Sequence, residues 1–232
     1  MSKLTIRFVT DYVCPYCIAA KIPLMKAAET RDVEIQWLPY ELTTTDKEPV
    51  DTWHDEVRKA KWAAGLLPFC EEQGLNVHIP THVVPRPYTH LAFMGYHYAC
   101  DHGKGEAYNT RMYELYFGEE KDIGDMKVLR AEAEALGMDG ADFENEVLSG
   151  KYEARQKEAD RYAKEELHVR GVPSIWIGET KVLNALMSAE EYGALIDEII
   201  AGQDAEQADG GAVCGPDGCG EPVFGCGPDG CK

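Results

Sequence analysis

The sequence predicts an α/β protein in which a long all-helical stretch separates the strands, and three observations carry that reading. The run Leu4-Thr5-Ile6-Arg7-Phe8-Val9-Thr10 is β-branched and alternating, and Val33-Glu34-Ile35-Gln36-Trp37-Leu38 repeats the pattern beyond a helical stretch. Strand signals then stop until Gly171-Val172-Pro173-Ser174-Ile175-Trp176-Ile177-Gly178. Two strands joined through a helix make a parallel unit with a right-handed crossover. The chain therefore divides into strand-bearing residues 1–50 and 168–202, a helical insertion over 51–167, and a tail over 203–232.

Between the first strand and its helix stands Cys14-Pro15-Tyr16-Cys17. Pro15 suits the first helical position, where a missing N–H costs nothing. Both thiols then lie in the first turn, and Cys14 sits beside unpaired N–H groups and the positive end of the helix dipole, which favours thiolate. The thiolate is the nucleophile of disulfide exchange, so the pair reads as a two-electron switch. Half of a zinc site and a pair of unrelated cysteines are the other readings of such spacing. The helix is expected over residues 15–29, with Pro23 kinking it. Asp11, at the end of the strand, either exchanges the proton of Cys17 or caps the helix.

In the insertion, Trp53, Val57, Ala60 and Ala64 fall at helical spacing from about residue 51, and later segments run over 125–136, 141–148 and 151–167. Gly137 and Gly150 mark helix ends. The proline-bearing loop 76–87 is long enough to reach over the cysteine pair. Cys70 and Cys100 lie on apolar helical stretches and read as inert core residues. His78 and His82 flank Pro80, which argues against one helix face and against a metal site. After residue 178 come a short strand near 181–183 and a closing helix over 189–200. Pro173 at a strand start needs a positional reason, and a cis bond is one candidate.

Composition sets bounds on function. The 232 residues carry a net charge of −18, which disfavours nucleic acid or an anionic membrane surface as partner. The first strand follows Met1-Ser2-Lys3 directly, and no apolar run reaches membrane-spanning length, so the expected compartment is the cytoplasm. Eight cysteines in a reducing compartment point to catalysis, redox sensing or metal binding rather than a structural disulfide framework.

Three segments together resemble the thioredoxin fold in its DsbA-like form, and more closely its FrnE-like branch. They are Thr10-Asp11-Tyr12-Val13-Cys14-Pro15-Tyr16-Cys17, Trp37-Leu38-Pro39-Tyr40-Glu41-Leu42 and Val169-Arg170-Gly171-Val172-Pro173-Ser174. The resemblance spans about residues 3–200 and makes 1–50 with 168–202 the thioredoxin-like domain. It implies that Cys14 exchanges with substrate, Cys17 resolves, and a cis Pro173 packs beside them while Val172 holds the substrate chain. No cofactor is required by it. The Pro15-Tyr16 pair, familiar from glutaredoxins, points away from a strong oxidant and toward a reductase or isomerase. Expected partners are cysteine-containing proteins, with glutathione or a thioredoxin-like reductant as electron source. His90 matches a histidine of the family's insertion, and it reads either as a neighbour of the active site or as an interfacial helix residue. A kappa-class glutathione transferase or hydroxychromene isomerase, glutathione-dependent and acting on small molecules, is a further reading; serine usually stands at the Cys14 position there.

The tail repeats Cys214-Gly215-Pro216-Asp217-Gly218-Cys219 as Cys226-Gly227-Pro228-Asp229-Gly230-Cys231. Gly-Pro-Asp-Gly is turn chemistry that brings each pair of thiols together. The four cysteines either relay electrons with Cys14 and Cys17 or hold zinc or another soft metal, which would make the chain a metal- or metalloid-handling protein.

Overall fold

The structure, a computed structural model, describes residues 3–209. Strands β1 (Leu4–Thr10), β2 (Val33–Pro39), β3 (Ser174–Ile177) and β4 (Thr180–Lys181) form one sheet in the order β2-β1-β3-β4. β1 pairs parallel with β2, as expected of strands joined through α1 (Pro15–Ala28), and antiparallel with β3. Its central place explains its composition: a strand covered on both faces needs apolar residues on both, and Ile6, Phe8 and Val9 are all inaccessible. Cα partners Phe8 and Ile175 fix the register that carries the Val172–Pro173 segment back to the end of β1.

Helix α1 passes through Pro23 and continues to Ala28, packed on α9 (Ala189–Asp209). A smaller cluster, Val9, Leu38, Ala159, Tyr162, Ala163, Val169 and Trp176, brings the last helical turns of the insertion against the sheet.

The insertion is helical as expected: α2 (Glu56–Lys61), α3 (Leu67–Glu72), α4 (His90–Asp101), α5 (Gly105–Tyr113), α6 (Met126–Ala135), α7 (Gly140–Leu148) and α8 (Glu153–Arg161). Wider π turns follow α2, α5 and α8. Asp125 and Asp139 cap α6 and α7, while Gly137 and Gly150 take the positive φ that ends them. The first helix starts later than Trp53 implied. Asp51 accepts the N–H groups of Trp53 and His54 in a turn, Asp55 then caps α2, and Val57 is left exposed. Gly95 in α4 lets Tyr108 and Phe143 pack against bare backbone; a Cβ there would collide with both.

Two contacts lock the insertion onto the strand-bearing part. The Tyr12 ring stacks on Phe93 at 4.5 Å and meets Tyr113 edge-on at 5.2 Å. Lys21, buried on α1, lies 4.3 Å over the Trp37 ring and bonds Glu106 and Thr110 of α5 at 3.3 and 3.1 Å.

Two corrections concern the C-terminal part. The short strand is Thr180–Lys181 rather than 181–183, and α9 extends to Asp209, so the boundary drawn after residue 202 falls inside a helix. Cys214, Cys219, Cys226 and Cys231 lie outside the described residues. Cys70 is a buried free thiol whose pKa burial raises, as an inert core residue requires. Cys100 is equally buried but is not a free thiol, so the inert reading holds for Cys70 alone.

Candidate active site

The chain leaves β1 at Thr10 and turns through Asp11-Tyr12-Val13, with Cys14 N–H donating to the Asp11 carbonyl at 3.1 Å. Cys14 is extended and stands as the N-cap of α1, and Pro15 opens the helix. Cys17 N–H then returns to the Cys14 carbonyl at 3.0 Å, which puts both sulfurs on the first turn. Both cysteines are free thiols; Cys14 is 5% exposed and Cys17 is inaccessible.

Residues far away in sequence complete the site. Val172–Pro173 is a cis peptide, and the Cys14 thiol donates to the Val172 carbonyl at 3.5 Å. A backbone carbonyl thus faces the outer sulfur. Burial pushes the Cys17 pKa well up, as does the neighbouring Cys14 sulfur. The Thr10 hydroxyl and the Asp11 N–H, both donating to the Cys17 sulfur, partly offset this.

Asp11 is wholly buried. Its carboxylate accepts the Leu42 N–H at 2.7 Å and, weakly, the Val13 N–H at 3.4 Å; the Thr89 hydroxyl and the charge of Arg86 also face it. No side chain caps α1, so the capping reading of Asp11 gives way to one in which it ties the active-site turn to the loop after β2. Burial outweighs these partners and raises its pKa to about 6.

The Cys14 sulfur opens into a cavity of about 190 Å³, bounded by Tyr16, Leu42 and Val172 on one side and Trp62, Pro80 and Phe117 of the insertion on the other. Loop 76–87 does reach over the cysteines, through Ile79, Pro80 and Arg86. Arg58 and Arg86 are the charged side chains of this lining, and neither is among the site residues expected from the sequence. An arginine fixed between Pro85 and Pro87 was a signal; Arg58 carried none. A second cis bond, Val84–Pro85, shapes this loop.

His90 is placed elsewhere. Its ring is held between Glu41 at 2.9 Å and Glu153 at 2.8 Å, joining the loop after β2 to α8, and it lines a separate cavity rather than that of Cys14. The two carboxylates outweigh burial and raise its pKa to about 9. A raised folded-state pKa stabilises the fold fully below the ordinary histidine value near 6.5, and this contribution is lost as pH rises through about 9. Thermal melts at pH 7 and pH 10 should therefore show a loss of stability that His90→Gln does not share; an equal loss in both proteins would contradict the pairing. His82 pairs with Glu120 at the surface.

A strand ending in a dithiol at a helix start, with a cis-prolyl segment facing the outer sulfur, defines the site of a thioredoxin-like thiol oxidoreductase. The DSBA-like thioredoxin domain matches residues 5–198, and the chain belongs to this family. The uncharacterized protein YwbO of Bacillus subtilis (strain 168) is 36% identical over 193 residues, which are 83% of this chain and 96% of YwbO. The solved structure of a 2-hydroxychromene-2-carboxylate isomerase is similar with a TM-score of 0.66 and 19% identity, covering 89% of this chain and 98% of that one. The cytosolic disulfide reductase DsbM of Pseudomonas aeruginosa, solved with GSH, is similar with a TM-score of 0.62 and 16% identity over 88% of this chain and all of DsbM. At these identities the solved structures attest the fold.

Proposed function

We propose that the chain is a thiol–disulfide oxidoreductase working in the reducing direction through Cys14 and Cys17. The observation that carries this is the free dithiol at the start of α1, its outer sulfur on the Val172 carbonyl and open to a cavity. The Cys14 thiolate attacks one sulfur of a substrate disulfide; the substrate S–S bond breaks, and one half leaves as a thiol once it takes a proton. A mixed disulfide on Cys14 remains. Cys17 then gives up its proton, attacks the Cys14 sulfur and releases the second half, so two electrons have passed from the dithiol to the substrate.

Cys17 needs a proton acceptor because its thiol is buried and its pKa is pushed up. Asp11, whose N–H reaches the same sulfur and whose carboxyl titrates at about 6, is assigned that role. Tyr16 forms part of the wall beside Cys14, and Pro173 with Val172 presents backbone to the substrate. Glutathione or a thioredoxin-like protein is the proposed reductant that restores the dithiol, in the cytoplasm, as for the cytosolic reductase of similar fold. The fold shared with the isomerase would also suit glutathione-dependent chemistry on small molecules, but the cysteine at position 14 favours disulfide exchange.

Reduction of insulin and of 2-hydroxyethyl disulfide, with glutathione or dithiothreitol as electron source, tests the reading. Acceleration over the uncatalysed rate on at least one of them is expected; no acceleration on either would overturn it.

A further inference from the structure

Resting on that reading, we propose that Arg58 and Arg86 make the Cys14 cavity a site for low-molecular-weight disulfides bearing carboxylates, in preference to neutral disulfides and to disulfides of folded proteins. Three observations support it. The first is charge. The chain holds 41 acidic against 23 basic residues, yet among the described residues both charged side chains of this cavity's lining are arginines and no carboxylate lines it. Chance placement in so acidic a chain would favour the opposite sign.

The second is a guanidinium in the wall. Arg86 lines the cavity yet is only 7% exposed; one guanidinium nitrogen donates to Thr43 Oγ1 at 2.6 Å, and its Nε, closed off from solvent, has no hydrogen-bond partner among the described residues. The buried Asp11 faces this charge from the protein side, and a ligand carboxylate in the cavity would meet it from the other in a charge-assisted contact. Arg58, half-exposed, is held at 3.3 Å by Asp55 at the start of α2 and contributes a second positive charge to the same wall. Cys14 lies close enough for the charge on its sulfur to bear on Arg86. A carboxylate on the guanidinium would therefore bring the sulfur of a small amino-acid thiol toward Cys14.

The third is access. Cys14 is only 5% exposed, and Trp62, Pro80 and Phe117 of the insertion line the cavity through which it is reached. A cavity of about 190 Å³ is smaller than the roughly 300 Å³ at which drug-sized pockets begin, so it takes one amino-acid-sized arm of a ligand. Arg86 also lines the neighbouring cavity of about 590 Å³, which has room for the remainder. A disulfide embedded in a folded protein is expected to reach Cys14 less readily than a small, free one through a cavity of this size.

The step balances as before: the Cys14–Cys17 dithiol loses two electrons and two protons, and the disulfide becomes two thiols. Protein reduced and freed of reductant is mixed at equal ionic strength with glutathione disulfide, neutral 2-hydroxyethyl disulfide or cationic cystamine. Formation of the Cys14–Cys17 disulfide is followed by acid quench and alkylation. Each rate is divided by that of dithiothreitol with the same disulfide, which removes intrinsic reactivity. Glutathione disulfide should lead the neutral compound by at least tenfold, and added salt should shrink the lead. Arg58→Gln and Arg86→Gln should each cut the lead at least threefold, and Arg86→Lys should keep more of it than Arg86→Gln. Should Arg86→Gln fail to fold, the less buried Arg58→Gln carries the test. Equal normalised rates in the wild type, or variants that slow all three disulfides alike, would overturn the proposal. If none of the three oxidises the wild-type dithiol while insulin is still reduced, this proposal fails and the oxidoreductase reading stands; if insulin is not reduced either, the oxidoreductase reading itself fails.

Discussion

Cys14→Ser is expected to bring disulfide reduction down to the uncatalysed background, whereas Cys17→Ser should stop turnover after one attack and accumulate the enzyme as a mixed disulfide. The difference follows from placement. The Cys14 sulfur lines the cavity and touches the Val172 carbonyl, while Cys17 is inaccessible and absent from that lining. Only Cys14 can meet a substrate sulfur, and only Cys17 can meet the Cys14 sulfur from within. A serine hydroxyl at position 14 is a far weaker nucleophile than a thiolate at neutral pH. Mass mapping of the peptide carrying residues 14–17 after incubation with glutathione disulfide checks both variants: a glutathione adduct on that peptide of Cys17→Ser and none on that of Cys14→Ser. An adduct that forms only when Cys17 is kept and Cys14 replaced would reverse the assignment.

Asp11→Asn is expected to stabilise the protein at neutral pH and to slow release of the second product. A folded-state pKa of about 6 against an ordinary 3.8 means that the fold prefers the protonated acid. Below pH 3.8 both states are protonated and nothing is lost. Stability falls as pH rises between 3.8 and 6, and above 6 the full cost of a buried carboxylate stands. The difference corresponds to roughly 3 kcal/mol as an upper bound, at about 1.4 kcal/mol per pKa unit. The groups that face the carboxyl are Arg86, the Thr89 hydroxyl and the N–H groups of Leu42 and Val13; their favourable effect is already contained in that value. Asparagine keeps an oxygen for Leu42 N–H and removes the charge. Urea unfolding at pH 4 and pH 7.5 should show the variant gaining at the higher pH only. With Asp11 also assigned the proton of Cys17, the mixed disulfide should live longer in the variant. Equal stability at both pH values would contradict the burial argument, and an unchanged lifetime would remove Asp11 from the chemistry.

What the sequence reveals here is what local pattern encodes. β1, β2 and the start of α1 follow from alternation and from Pro15 after a strand, and the Cys14–Cys17 spacing is local as well. The cis bond at Pro173 was legible because a proline that opens a strand cannot donate to the ladder and needs a special turn to enter it. The one at Pro85 was not, since residues 80, 85 and 87 offer prolines in similar settings and only packing separates them.

Sites assembled through space were hidden. Arg58 and Arg86 reach the Cys14 cavity from different parts of the insertion, and Glu41 and Glu153 meet His90 across large sequence separations. The length of α9 was misjudged for another reason. The composition of Gln203-Asp204-Ala205-Glu206-Gln207-Ala208-Asp209 looks like a linker, yet alanine, glutamine and glutamate are good helix formers, and Gly202 alone does not end a helix already docked on α1.

Whether Cys14 and Cys17 form a reducing two-electron couple is decided by equilibrating the protein in glutathione buffers and measuring the fraction of the pair that is oxidised. A reversible couple is expected, with a potential between about −180 and −270 mV, the range of isomerases, glutaredoxins and thioredoxin. A value near −120 mV would mark an oxidant of the DsbA kind and contradict the direction of electron flow, and the absence of any reversible couple would contradict the function itself.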